Sequence, residues 1–370
     1  MKDLFELDPN VTYLNCASMS PLLKSAREAG LAALQSRARP WAMTAADWFE
    51  DSETLRDLVA RVYQTHGDNV AFSPSASYGM ATVAKNVHFK KGQSIVILER
   101  QFPSNVYAWI NLAERQDLQL VRVERQSGMS LTEVLLQAIQ PGTALVSIPN
   151  CHWMDGAYID LHRVSRQARA VGAMLVLDLS QSLGALPIDI EAIDPDFAVA
   201  AGYKWMLGPY GLGYMYVAPR WQQVWEPLEY SWLPREKSED FSSLNSYTPA
   251  FKSGARKFDA GEYLMLNIRP MSLAGVKQVV AWGTDYIQNN IRQLSDVLKQ
   301  YNQGQGLAMP ESVAHIVGIP FGKRDPQKVK AALSKNNISV SYRDAYIRVS
   351  PHLYNTPAEI QALIDCLEQC

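Results

Sequence analysis

Cysteine is scarce in this chain and never spaced for pairing. The 370 residues hold four, Cys16, Cys151, Cys366 and Cys370, with no CxxC among them. That favours a reducing cytoplasm over a disulfide framework and gives no metal-site signature. No apolar stretch reaches about 18 residues, so no transmembrane helix is expected. The opening segment, Met1 to Pro9, breaks its short apolar stretch with acids and lacks a signal-peptide core. Net charge is only −2, which predicts affinity for neither nucleic acid nor membrane. Repeats and low-complexity tracts are missing. No GxGxxG follows the first strand-like run, which weighs against a nicotinamide dehydrogenase.

What is present is an ordinary globular composition with enough residues for one large domain and one smaller one. From about residue 55 to 220, short apolar runs alternate with longer amphipathic stretches. The runs begin at Asn69, Ser94, Leu118, Ala144, Met174, Phe197 and Gly213. Several are apolar on both faces, as strands covered by helices on both sides must be. The pattern predicts an α/β fold with a mostly parallel central sheet flanked by helices. Residues 221–262 lack periodicity and read as a long irregular excursion. A helix is expected from Met271 to about Gln300, then strands near His315–Ile319 and Ala345–Ser350. Thr356, Pro357 and Glu359 spell the start of a final helix. The expected organisation is an N-terminal segment (1–25) packing near the active site and the small domain, a large domain (26–262) and a small α+β domain (263–370).

The chemistry-bearing residues fall at the carboxyl ends of strand-like runs, where parallel α/β sheets bind ligands. Asp178 ends Met174-Leu-Val-Leu-Asp, with Ser180 and Gln181 just beyond, and Lys204 follows Phe197-Ala-Val-Ala in Ala-Gly-Tyr-Lys-Trp. Pyridoxal phosphate needs both charges: a lysine for the Schiff base and a carboxylate for the ring nitrogen. A salt bridge or helix cap is an equally open reading of Asp178. Ser73-Pro-Ser-Ala-Ser-Tyr-Gly, before a helical pattern, is either a phosphate cradle or a plain N-cap. Phe102 is either a stacking partner for a flat ring or a core aromatic. His152 and Trp153 either face a ligand or serve the core. Cys151 reads as a small buried hydrophobe.

Taken together, the stretch from Asp178 through Lys204 to Gly208-Pro-Tyr-Gly-Leu-Gly213 resembles the class V aminotransferase family of pyridoxal-phosphate enzymes, fold type I. That family includes cysteine desulfurases, kynureninase, isopenicillin N epimerase-like proteins and C–S lyases. The similarity runs from Tyr13-Leu-Asn-Cys-Ala-Ser to Ile347-Arg-Val-Ser-Pro-His-Leu-Tyr-Asn-Thr356. The resemblance implies pyridoxal 5'-phosphate as cofactor, linked to Lys204. It implies Asp178 at the ring nitrogen, Gln181 at the phenolate oxygen, and Ala76, Ser77 and Tyr203 at the phosphate. Phe102 would stack on the ring, Trp153 would sit on its substrate side, and Arg348 would grip the substrate carboxylate. It further implies a homodimer acting on a free α-amino acid. Transamination is the first expectation; a kynureninase-like or C–S β-eliminating lyase, or an epimerase, is the alternative, and a catalytically silent cofactor binder is the rival outside catalysis.

Two departures qualify it. Desulfurases carry a cysteine on a loop shortly before the arginine strand, but here Asn337-Ile-Ser-Val-Ser-Tyr-Arg-Asp344 has none. Where relatives often show Ala-Gly-Thr at the phosphate contact from the neighbouring subunit, this chain reads Ala260-Gly261-Glu262, and an acid suits a phosphate poorly.

Overall fold

The computed structural model describes residues 1–307 and 311–370. The twelve strands among the described residues are β1 Thr12–Tyr13, β2 Val70–Ser73, β3 Ser94–Leu98, β4 Gln119–Val123, β5 Thr143–Pro149, β6 Met174–Asp178, β7 Phe197–Ala201, β8 Gly213–Val217, β9 Val317–Pro320, β10 Ile338–Ser339, β11 Ser341–Arg343 and β12 Tyr346–Val349. Seven of them make the main sheet in the order β2-β8-β7-β6-β5-β3-β4. Strand β8 runs antiparallel to both its neighbours, and the remaining pairs are parallel. The sheet is therefore mostly parallel, as the apolar runs imply.

Alternate residues of each strand enter two different cores, because successive side chains point to opposite faces. Val96, Val146, Leu175, Leu177 and Ala198 belong to one core. Ile95, Ile97, Leu145, Val176 and Val199 belong to the other. Helices α1 Lys24–Arg37 and α2 Ala45–Tyr63 come before the first strand of this sheet. Next are α3 Ala76–Asn86, α4 Tyr107–Gln116, α5 Leu131–Ala138, α6 Leu161–Ala170 and the short α7 Ile190–Ile193. Helix α3 supplies Met80 and Val83 to the second core. It approaches closely at Gly79, where a Cβ would lie 2.9 Å from Cγ2 of Val199.

After β8 the chain is irregular, as expected. It holds only α8 Pro219–Gln222 and 3-10 turns at Phe241–Ser243 and Gly254–Phe258. Its far end is pinned by a fully buried ion pair, Arg56 Nη2 to Asp259 Oδ2 at 2.8 Å. Asp259 also accepts the backbone N–H of Phe72 at 2.7 Å, tying the excursion to β2.

The single helix expected from Met271 to about Gln300 is in fact two, α9 Arg269–Trp282 and α10 Thr284–Gly304. Gly283 breaks them. Its φ of 76° suits glycine, and its N–H closes α9 on Val279 O at 2.9 Å. The strands β11, β12 and β9 form an antiparallel sheet with α11 Pro326–Lys335 and α12 Pro357–Glu368 nearby. Helix α12 begins with the expected capping box of Thr356 and Glu359. The N-terminal segment crosses over to this end of the chain: β1 pairs in parallel with β10, and Leu14 joins the core of Ile319, Ile347 and Leu363. No described helix is long and apolar enough to cross a membrane.

Candidate active site

The loops after β2, β3, β5, β6 and β7 leave the sheet along one edge, and the chemistry-bearing residues gather there. Asp178, the last residue of β6, is 6% exposed and paired in register with Pro149 on one side and Val199 on the other. Its Oδ1 accepts the N–H of Ser180 at 3.0 Å. Among the described residues its Oδ2 accepts no hydrogen bond, and no cation forms a salt bridge with it. The carboxylate is thus neither a helix cap nor half of an ion pair, and a buried charge of that kind needs a partner.

Lys204 lies in the connection from β7 to β8. The chain is folded tightly there: Gly202 N–H donates to Leu212 O at 3.0 Å, and Gly208 N–H to Gly202 O at 2.9 Å. A Cβ on residue 202 would stand 2.4 Å from Leu212 O, so only glycine fits. The Lys204 side chain is buried, and its Nζ makes no hydrogen bond among the described residues. The nitrogen stands 5.3 Å from the centroid of Phe102 and 5.6 Å from that of Tyr203. Burial pushes its pKa down to about 8; Asp178 opposes the shift, while the positive charges of Arg348 and Arg343 add to it. The Tyr203 ring in turn lies 4.6 Å from that of Tyr210.

Ser75 caps α3, its Oγ accepting the N–H of Tyr78 at 3.2 Å. The capping reading of this segment holds. It leaves the cradle reading intact, because Ala76 and Ser77 open the helix and their N–H groups have no intrahelical acceptor. The Ser77 hydroxyl touches that of Ser75 at 2.9 Å.

Arg348 is no surface residue. It is 1% exposed on β12, and no described carboxylate forms a salt bridge with it. Nη1 donates to Trp153 O at 3.0 Å, and Nη2 to Ser341 Oγ at 3.2 Å and Asn15 Oδ1 at 3.4 Å. Nε is buried without a partner. Burial, with Arg343 close by, depresses its pKa to about 9. Trp153 Nε1 donates to Arg100 O at 2.8 Å, and its ring meets Phe102 edge-on at 5.5 Å. Phe102 thus bridges Trp153 and Lys204.

Gln181 is held at both ends of its amide: Nε2 donates to Ala17 O at 3.0 Å, and Oε1 accepts Trp205 Nε1 at 3.0 Å. One amide hydrogen is left for another acceptor. His152 belongs to the interior, with Nδ1 3.4 Å from Asp155 Oδ1. All four cysteines are free; Cys16, Cys151 and Cys366 are buried. Burial pushes the thiols of Cys16 and Cys151 up, which disfavours the thiolate that a nucleophile needs. Arg343 pairs directly with Tyr346, which leaves a hairpin loop of only Asp344 and Ala345. That turn has no room for a cysteine-bearing loop.

Asn15, Ser341, Arg343 and Trp205 complete the surroundings and were not singled out by the sequence. For Ser341 and Arg343 a signal existed, since they alternate with Tyr342 on a strand next to that of Arg348. For Asn15 and Trp205 nothing but three-dimensional pairing reveals the contact.

The arrangement fits pyridoxal phosphate on its own terms. It offers a buried unbonded amine, a buried carboxylate with a spare oxygen, open N–H groups at a helix start, and a buried guanidinium without a counter-ion. Comparison with known proteins agrees. The chain is similar to a probable cysteine desulfurase of Methanothermobacter thermautotrophicus, 26% identical over 86% of this chain and 83% of that one. It is also similar to a kynureninase of Bacillus mycoides, 25% identical over 96% and 87%. Among solved structures, a C-DES mutant with glycine covalently linked to its PLP cofactor superposes with a TM-score of 0.86 at 18% identity, covering 99% of this chain and 98% of that one. The Aminotransferase class-V family model matches residues 34–363. The chain therefore belongs to the class V aminotransferases, enzymes that depend on pyridoxal phosphate.

Proposed function

We propose that the protein acts on a free α-amino acid, with Lys204 and Asp178 as its catalytic residues and transamination as the first reading of the reaction. The observation that carries this is the buried pair at adjacent strand ends, an amine with no hydrogen bond and a carboxylate with no cation. When bound, pyridoxal phosphate supplies an electron sink for a bond broken at the substrate α-carbon. The chain's own residues do the rest. Arg348, with Nε unpaired, holds the substrate carboxylate and so orients the α-carbon. Lys204 Nζ, whose low pKa keeps much of it neutral near pH 8, takes and returns the α-proton. Asp178 Oδ2 would face the protonated ring nitrogen of the cofactor. Gln181 would give its remaining amide hydrogen to the phenolate oxygen. Ala76 N–H, Ser77 and Tyr203 would hold the phosphate. Phe102 would stack on the ring, and Trp153 would stand toward the substrate.

A β-eliminating lyase is the second reading, favoured by Phe102 and Tyr203, which match the kynureninase-like pattern. A desulfurase route through a persulfide is disfavoured by the two-residue turn of Asp344 and Ala345. The same reading takes the protein as a homodimer in the cytoplasm, on family resemblance and the unpaired cysteines. The test is to incubate purified holoenzyme with an amino-acid panel and score keto acid, ammonia, sulfide and chirality. Keto acid formed with a stoichiometric amino acceptor supports transamination. Ammonia or sulfide without an acceptor moves the assignment to lyase. Inversion of configuration moves it to epimerase.

A further inference from the structure

A second arginine faces the same space as Arg348, and the proposed chemistry gives it no task. Ser341 and Arg343 are two apart on β11, so their side chains share a face. Ser341 Oγ receives Arg348 Nη2 at 3.2 Å, which fixes that face as the one turned to Arg348. Tyr342, between them, turns the other way, its ring stacked on Phe321. The Arg343 guanidinium stands 5.4 Å from the centre of the Trp153 ring, and Trp153 O holds Arg348. One tryptophan therefore contacts both guanidinium groups.

Arg343 lacks an anion. Nη1 donates to Tyr342 O at 2.9 Å, while Nε is buried with no partner. No described carboxylate forms a salt bridge with it. Its sequence neighbour Asp344 is engaged by Arg100 instead. Lys204, Arg343 and Arg348 thus bring three basic side chains into one region, and among the described residues none of the three forms a salt bridge. Arg343 lies close enough to push down the pKa of both Lys204 and Arg348. Keeping three such groups together is unfavourable until anions enter. The α-carboxylate of a substrate answers Arg348 alone.

We infer that the substrate is an α-amino acid with a second anionic group on its side chain, and that Arg343, stacked on Trp153 opposite Arg348, is the residue that selects it. This deepens the reading of the site as one that binds a free α-amino acid and rests on it. Carboxylate, sulfinate and phosphate side chains share the required chemistry, and an arginine fork suits each.

The test pairs acidic substrates with neutral isosteres on the holoenzyme. Aspartate, glutamate, cysteine sulfinate and O-phosphoserine are compared with asparagine and glutamine by kcat/KM. The acidic member should win by roughly 10- to 100-fold, the worth of a charge-assisted hydrogen bond. R343Q should erase that preference while sparing the neutral isostere, and R343K should restore part of it. A second readout needs no turnover: calorimetric Kd values for succinate and glutarate against butyrate, where the diacid should bind tighter to the wild type but not to R343Q. Among the four acids, the preferred one identifies the group. Equal or better use of the neutral isosteres, or an equal loss for both classes in R343Q, overturns the inference but leaves the α-amino-acid reading standing. No spectral or catalytic response to any amino acid overturns both.

Discussion

The Nζ of Lys204 stands 5.3 Å from the centre of the Phe102 ring, buried and without a hydrogen bond. An aromatic face attracts an ammonium only modestly, so burial prevails and the pKa falls to about 8. Its unfolded value is about 10.4. Between the two, the unfolded chain binds the extra proton, so this residue's contribution to apoprotein stability rises as pH increases through that window. Reaction of the apoprotein with an aldehyde or an amine reagent at Lys204 should become half-maximal near pH 8. A rate that keeps climbing toward pH 10 removes the basis for a proton-accepting lysine.

Lys204→Ala should abolish turnover. Borohydride reduction of the reconstituted wild type should fix one cofactor mass on the peptide holding residue 204, and reduction of the variant should fix none there. Full activity in the variant ends the proposed mechanism.

Asp178→Asn should reduce turnover by roughly 10²-fold or more, the range for removing a preorganised electrostatic partner. The fold should suffer little, because Asp178 makes one hydrogen bond, to Ser180, and no salt bridge. Comparing kcat with the thermal midpoint of the apoprotein separates the two. A large drop in Tm with little change in kcat reverses the assignment.

Arg348→Met should raise KM for amino acids by roughly 100-fold, since a charge-assisted bond to the carboxylate is lost. The folded protein should tolerate the change. A buried guanidinium whose pKa is depressed to about 9 is itself unfavourable, and removing it offsets the lost bonds to Trp153, Ser341 and Asn15. An unchanged KM removes Arg348 from substrate binding.

Replacing Cys16, Cys151, Cys366 and Cys370 together by alanine or serine should leave kcat within about 2-fold; three of the four are buried, so the cost should fall on stability and not on turnover. Circular dichroism would confirm that the variant folds. Loss of activity with the fold intact would revive a thiol in catalysis.

The parts of the site legible in the sequence are those announced by local pattern. Asp178 and Lys204 each close a buried apolar run, and a strand end with a charge is visible without a structure. Ser75 and Thr356 announce helix starts by capping chemistry, and both caps form. The break at Gly283 stayed hidden because apolar periodicity continues on both sides of it. Asn15 meets Arg348 from 333 residues away, and no local pattern encodes such a meeting, whereas Ser341, 7 residues away on the neighbouring strand, has the alternation with Tyr342 as its signal. Arg343 was visible as a strand residue, but its missing counter-ion is a fact about neighbours.

The crossing of β1 onto β10 has a consequence for how this enzyme is made. Asn15 meets Ser341 and Arg348 across 326 and 333 residues of chain. Closing spans of that length costs entropy before the contacts form, so the surroundings of Arg348 should be completed late in folding, after the elements between have ordered.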